Sequence, residues 1–328
     1  MVKIAWGSPA AATGNGEFNH PHDDEKSLFP GGVFAFTGTG SLDTQVQAAI
    51  DAGLIPIIAI YDAIGTNSAS AIDDVVRWLT DATRQAWFKG RDANGIPRSE
   101  YIILNFSIEP DFRNETTYIN AMRDAIIGLR AAGYTFPLIV DANGYGQTYT
   151  SLVNGADTWW ANDPLKNILL GWHPYSYLSA AQIRSAMNEL QSTNVPVVVS
   201  EFADQQNNNI ESYPTDCGNT ALLFTTLMGE ANARGFGWLP WAWGDDPNGV
   251  NTNHYWNNDF NLGCWELDMT DYESCASLER WGCTAVNDPE GIAANAVRPK
   301  YIVDRCDTLP DRPSPGACGD ICPGSSAR

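Results

Sequence analysis

Two glutamates, Glu109 and Glu201, carry the strongest chemical signal in the chain. Each follows a strand-like run, 101–106 ahead of Glu109, apolar but for Asn105, and 196–199 ahead of Glu201. The second run, Pro196-Val197-Val198-Val199, never alternates with polar residues. A strand that is apolar throughout is buried on both faces, which is the condition of a parallel sheet covered by helices. A carboxylate ending such a strand is costly unless it is paired or solvated. The same strand ends are where the catalytic groups of a closed barrel gather. Two carboxyl groups at one barrel mouth, with three strands expected between them, are the equipment of glycoside hydrolysis. One protonates the leaving oxygen, and the other attacks the sugar or activates water. The acid must hold its proton near neutrality, and the apolar neighbours Ile108 and Pro110 favour that for Glu109. For either glutamate alone, the competing reading is a salt-bridged residue on the rim.

Other groups fall in matching positions. His173 and Tyr175 follow the apolar run 168–172, where a ring N–H and a phenol could fix a nucleophilic carboxylate. Trp241 and Trp243 follow 236–239, and an indole face suits the C–H face of a pyranose. Asp141, Asn143 and Tyr145 follow 137–140 and are expected either to bind sugar hydroxyls or to serve as turn residues. The cluster His20-Pro21-His22-Asp23-Asp24-Glu25 lacks metal-ligand spacing and reads as a solvated acidic loop, so no metal or other cofactor is expected. Ser200 sits in no GxSxG context, which argues against a serine hydrolase.

These groups need elements to place them. Strands are expected at 2–6, 54–61, 101–106, 137–140, 168–172, 197–200 and 236–239. Helices are expected at 41–52 with Ser41 as N-cap, at 70–88, 115–132, 180–191 and 219–234, and near 290–296. Such alternation makes parallel βαβ units. An open doubly wound sheet would gather polar groups at one switch point, whereas here they recur after every strand. The fold expected is therefore an α/β (β/α)8 TIM barrel over residues 1–303. Residues 304–328 form a Cys- and Pro-rich tail. No phosphate-binding glycine motif follows any strand, so nucleotide chemistry is not expected.

Composition narrows the partners. Asp and Glu outnumber Lys and Arg by 39 to 19, for a net charge of −20. That field repels phosphate backbones and anionic lipid, so neither nucleic acid nor membrane is an expected partner, and a neutral ligand is. Six of the seven cysteines lie between Cys264 and Cys322, with Cys217 apart, a pattern that favours disulfides in a secreted, extracellular protein. The sequon Asn114-Glu115-Thr116 agrees with secretion. The opening residues already look like a strand, so the chain reads as a mature form or a fragment, and a monomer is expected.

From 2 to 243 the chain resembles the bacterial endo-β-1,4-mannanase branch of glycoside hydrolase family five, retaining (β/α)8 glycosidases. The segments that carry the resemblance are Tyr61-Asp62-Ala63-Ile64-Gly65, Leu104-Asn105-Phe106-Ser107-Ile108-Glu109-Pro110 and Asp141-Ala142-Asn143-Gly144-Tyr145-Gly146-Gln147. Trp172-His173-Pro174-Tyr175, Val199-Ser200-Glu201-Phe202 and Trp238-Leu239-Pro240-Trp241-Ala242-Trp243 complete them. The resemblance implies Glu109 as acid/base and Glu201 as nucleophile. It also implies that Tyr61, Lys3, Asn143, Tyr145, His173, Tyr175, Trp241 and Trp243 lie around the substrate. It implies a β-1,4-linked polysaccharide substrate, with mannan ahead of glucan.

Three positions depart from the family pattern. Ile108 stands where the family has the Asn that binds the sugar 2-hydroxyl, a loss of about 3 kcal/mol or roughly a hundredfold in rate. Lys3 replaces an Arg and gives up its bidentate fork, and Tyr61 replaces a His. These departures motivate a rival reading, a catalytically weakened or inactive carbohydrate-binding relative on the same barrel. Two strand assignments also stay open. Residues 2–6 are either strand two, or strand one with 33–36 as strand two.

Overall fold

The structure is a computed structural model, and it describes residues 1–6, 42–175, 178–203, 223–241 and 280–297. By backbone contacts the chain divides into two compact units. The first comprises Met1–His173 and Ala186–Val198, and the second Pro174–Ser185 and Val199–Arg328.

The strands are β1 (Val2–Trp6), β2 (Pro56–Ile60), β3 (Ile103–Asn105), β4 (Leu138–Asp141), β5 (Ile168–Trp172), β6 (Val197–Val199) and β7 (Gly237–Trp238). They are hydrogen-bonded in chain order, and the pairs from β1 through β5 are parallel. Every residue of β2, β3, β4 and β6 is buried. This matches apolar runs without alternation, because both faces of each strand are covered. β1 pairs with β2 along its whole length, from Val2 opposite Pro56 to Trp6 opposite Ile60. Residues 33–36, the alternative second strand, lie outside the described residues. Two strands, β4 and β5, separate β3 from β6 in the sheet order, where the sequence suggested three.

The helices between strands are α1 (Leu42–Asp51), α2 (Ala69–Leu79), α3 (Ala82–Phe88), α4 (Glu115–Ala131), α5 (Tyr149–Asn162), α6 (Ala180–Ser192) and α7 (Phe224–Arg234). Two further helices, α8 (Arg280–Asn287) and α9 (Ile292–Asn295), follow β7. None is long and apolar enough to cross a membrane. The single helix expected over 70–88 is two. Asp81 accepts a hydrogen bond from Arg84 N at 2.9 Å and so caps a new helix start one turn after α2 ends. α4 buries Tyr118, Met122, Ala125, Ile126 and Leu129 at the helical spacing expected of it. The sequence reading gave no element between the loop after Asp141 and residue 168, where α5 lies. Its buried face is Leu152, Gly155, Ala156 and Trp159. Trp159 folds back over Gly155, and its indole ring leaves no room there for a Cβ. The indole N–H crosses to donate to Ile119 O at 2.9 Å.

The first unit is fastened at the N-terminal end of its strands. Arg130, at the end of α4, uses all of its N–H groups there. Nε and Nη2 meet the fully buried Asp163 at 2.9 and 3.1 Å, and the rest donate to the carbonyls of Tyr134, Phe136 and Asn167. Burial alone would raise the Asp163 carboxyl. The Arg130 hydrogen bonds and the backbone amides of Asn167 and Leu165 outweigh it and hold the carboxyl below its usual range.

Ser41, residues 7–40, residues 204–222 and Trp243 lie outside the described residues. So do the tail from 304 and every cysteine side chain, and with them the expectations about the acidic loop and disulfides.

Candidate active site

In the first unit the loops after β2, β3 and β4 are tied to one another through the backbone of Glu109. Ile108 N–H donates to Ile60 O at 3.2 Å, and Gly65 N–H donates to Glu109 O at 2.8 Å. Tyr145 N–H reaches Pro110 O at 3.2 Å. Glu109 is held at φ +48°, in the left-handed region that a residue with a Cβ rarely adopts. Backbone held against preference in this way is concentrated at functional sites. Its side chain is 16% exposed, and its Oε1 lies 2.7 Å from His173 Nδ1. Ile108 beside it, where the family pattern has an Asn, is fully buried.

His173 follows β5, and no water reaches it. Its backbone N–H donates to Gly146 O at 2.8 Å, and its ring packs against that glycine. A Cβ at Gly146 would lie 2.6 Å from the ring Cγ, so only glycine fits. Asp141, the last residue of β4, is also fully buried. Its Oδ2 accepts from Asn105 Nδ2 at 2.9 Å and from Glu109 N–H at 3.3 Å, and lies 3.4 Å from His173 Nε2. Burial favours the neutral acid, but the charge and hydrogen bonding of His173, the Lys3 ammonium and the Asn105 amide prevail and lower its pKa. Lys3, on β1, thus acts through its charge on Asp141.

Asn143 was expected either to meet sugar hydroxyls or to serve as a turn residue. Its amide is occupied on both sides by Phe112, with Oδ1 accepting from the backbone N–H and Nδ2 donating to the carbonyl, each at 2.7 Å. Its role in the structure is to pin the loop after β3 to the loop after β4. Tyr145 is 36% exposed and lies with its ring over Gly65. Burial raises its phenol above the ordinary value, with Asp111 and Glu109 adding to the shift. Tyr61 is half-buried just past β2, and its carbonyl accepts from Ile64 N–H at 3.1 Å.

The second unit holds the other glutamate. Glu201 follows β6 and is 5% exposed. Tyr175, equally buried, donates its hydroxyl to Glu201 Oε2 at 3.0 Å. The strand that carries Glu201 is braced on its other side, where Leu239 N–H donates to Val199 O at 2.9 Å and Trp241 N–H to Phe202 O at 2.8 Å. Trp238 meets Phe202 edge to face at 5.9 Å. Trp241 is half-buried at the end of this brace.

Each glutamate therefore has a buried partner of its own, a histidine ring for Glu109 and a phenol for Glu201. A short contact to an imidazole suits a group that must both give and take a proton. A phenol donating to a carboxylate stabilises its charged form, as a nucleophile needs. The sequence pointed to both partners but reserved them for one glutamate, and it gave no hint of Asn105 or of the linkage through Asp141. The one available signal was the uncompensated polarity of Asn105 and Asp141 inside apolar strands.

A cellulase (glycosyl hydrolase family 5) model matches residues 32–247. The mannan endo-1,4-beta-mannosidase of Cellvibrio japonicus is 29% identical over 269 residues, covering 81% of this chain and 55% of the relative. That of Streptomyces lividans is 26% identical over 274 residues, 82% of this chain and 63% of the relative. The chain thus spans somewhat more than half the length of these relatives. Among solved structures, the β-mannanase of Thermomonospora fusca superposes with a TM-score of 0.62 at 24% identity, over 81% of this chain and 80% of that one. The β-mannanase of Streptomyces thermolilacinus gives 0.64 at 19% identity, over 81% and 79%. The chain shares the fold of both, and with the match over most of its length it belongs to glycosyl hydrolase family 5.

Proposed function

We propose that the chain is a secreted, monomeric endo-glycosidase that cleaves β-1,4-linked mannan, with glucan second, and retains configuration at the anomeric carbon. The observation that carries this reading is that two glutamates follow buried strands, each hydrogen-bonded to a buried partner suited to a different step. In the first step Glu201 Oε attacks the anomeric carbon while Glu109 gives its proton to the departing oxygen. In the second, Glu109 takes a proton from water, whose oxygen displaces Glu201. Retention requires the two carboxyl groups about 5–5.5 Å apart. The mannan endo-mannosidases of Cellvibrio japonicus and Streptomyces lividans, similar over four fifths of this chain, support mannan as substrate. Tyr145 and Trp241, half-exposed at strand ends, are the aromatic surfaces offered to sugar rings. A neutral glycan is also the partner least opposed by a net charge of −20.

The test is release of reducing ends from mannan and from cellulose by the parent and by Glu201→Gln. The expected result is release by the parent, larger on mannan, and loss of at least about 10³-fold in the variant, since the amide cannot serve as nucleophile. Binding of mannan without release, unchanged by the substitution, overturns the reading and favours the non-catalytic relative.

A further inference from the structure

The reaction just described does not use the buried acid beside Glu109. Asp141 is fully buried, yet it stays charged, and three groups converge on its Oδ2. One is the backbone N–H of Glu109 itself, and a second is the His173 nitrogen on the far side of the ring from Glu109. The third, the Asn105 amide, comes from β3 at 2.9 Å. A carboxylate buried inside a sheet is costly, and a purely structural anchor has no need to touch the acid/base at its backbone and through its imidazole together. We propose that Asp141 is a positioning residue for the acid/base. It keeps a proton on His173 Nε2, so that Nδ1 is left to share a single proton with Glu109. The inference rests on Glu109 being the acid/base.

The proton accounting is simple. With Nε2 protonated against Asp141, the 2.7 Å contact between Nδ1 and Glu109 Oε1 holds one proton. On Oε1 it is an O–H donated to Nδ1, and on Nδ1 it is an N–H donated to Oε1. The two arrangements have the same net charge. Leaving-group protonation breaks that bond and forms an O–H on the departing sugar, and attack by water restores it. Glu109 and His173 therefore titrate as a pair. Among the described residues of the first unit, the other charged or titratable groups around them include Lys3 on β1, Tyr118 on α4, Asp111 after β3 and Tyr145 after β4. Tyr118 donates its hydroxyl to the Asp141 backbone carbonyl at 2.6 Å, and burial keeps it protonated. The Gly146 carbonyl and missing Cβ hold the ring in place for this exchange.

The experiment is the pH profile of kcat/KM on mannan for the full chain and for Asp141→Asn. An isosteric amide removes the negative charge that retains the pair's proton, so the alkaline limb moves down by about 1–3 pH units. Activity at the optimum falls by roughly 10–100-fold. An unmoved limb with activity within about twofold of the parent overturns the inference and leaves the glycosidase reading intact. A parent inert on every glycan overturns that reading instead. Nitrogen NMR of the imidazoles decides the matter without turnover. The chain has only four histidines, and His173→Gln assigns the signal. Above the alkaline limb the parent is expected to carry its proton on Nε2. A proton on Nδ1 there refutes the inference.

Discussion

Replacing Tyr175 by Phe takes one hydroxyl away from a carboxylate that water scarcely reaches. Glu201 is 5% exposed, and the bond from the phenol is 3.0 Å long. A hydrogen bond to a charged group is worth about 1.5–3 kcal/mol net, and a buried acceptor deprived of it loses that amount. Tyr175→Phe should therefore lower kcat on mannan by roughly 10–150-fold, the rate equivalent of that loss at about 1.36 kcal/mol for each factor of ten, with KM changed by less than about threefold. The assay is initial-rate hydrolysis of soluble mannan by both proteins over a range of mannan concentrations, with thermal melts to show that both are folded. A variant with the parent's kcat, or one whose whole deficit lies in KM, refutes the argument that the Tyr175 hydroxyl holds Glu201 in place for attack.

Two other perturbations probe the first unit. Arg130→Met strands the Asp163 carboxylate and three carbonyls in a dry environment, a loss of about 3–5 kcal/mol. The melting temperature should drop on the order of 10 °C. Asp163 is held low in the parent, so its contribution is present above the ordinary carboxylate range and is lost as pH falls. In the variant, protonation relieves the buried charge, so the gap between the two melting curves should narrow with acidification. A gap that stays constant or widens toward acid contradicts the assignment. Gly146→Ala puts a Cβ against the His173 ring at 2.6 Å in a backbone at φ +74°. Displacing the ring by even half an ångström should lower kcat/KM by roughly tenfold or more, and an alanine variant with parental kinetics would show that the ring tolerates the intrusion.

The sequence announced some of this molecule and hid the rest for definite reasons. Strands β2 and β5 were legible because a fully covered strand must be apolar at every position, and 54–61 and 168–172 are nearly so. The helix α4 was legible from its spacing and the glycine that follows it, Gly133, at φ +84°. The helix α5 was not, because its buried stripe includes Gly155 and its polar face carries Thr, Asn and Asp, all weak helix formers. Packing of Trp159 across to α4 overrides that weak local preference. The break between α2 and α3 depends on which of several polar residues becomes a cap, and Asp81 was one candidate among many. At the site, both glutamates and both of their partners could be named from strand ends alone. The Asp141 linkage could not, because it depends on two adjacent strands bringing Asn105 and Asp141 side by side, a relation that chain order does not reveal.

The Arg130 clasp and the Asp141–His173 pair sit at opposite ends of the same strands. The β4–β5 ribbon begins at the carbonyls that Arg130 collects and finishes at Asp141 and Trp172, just before His173. The two ends of the unit are thereby given separate tasks, joined by the extended backbone of β4 and β5 and by α4, which carries both Arg130 and Tyr118. Heat tolerance can then be tuned near Asp163 with little effect on the proton linkage between Asp141 and Glu109, and the reverse holds for changes around Gly146.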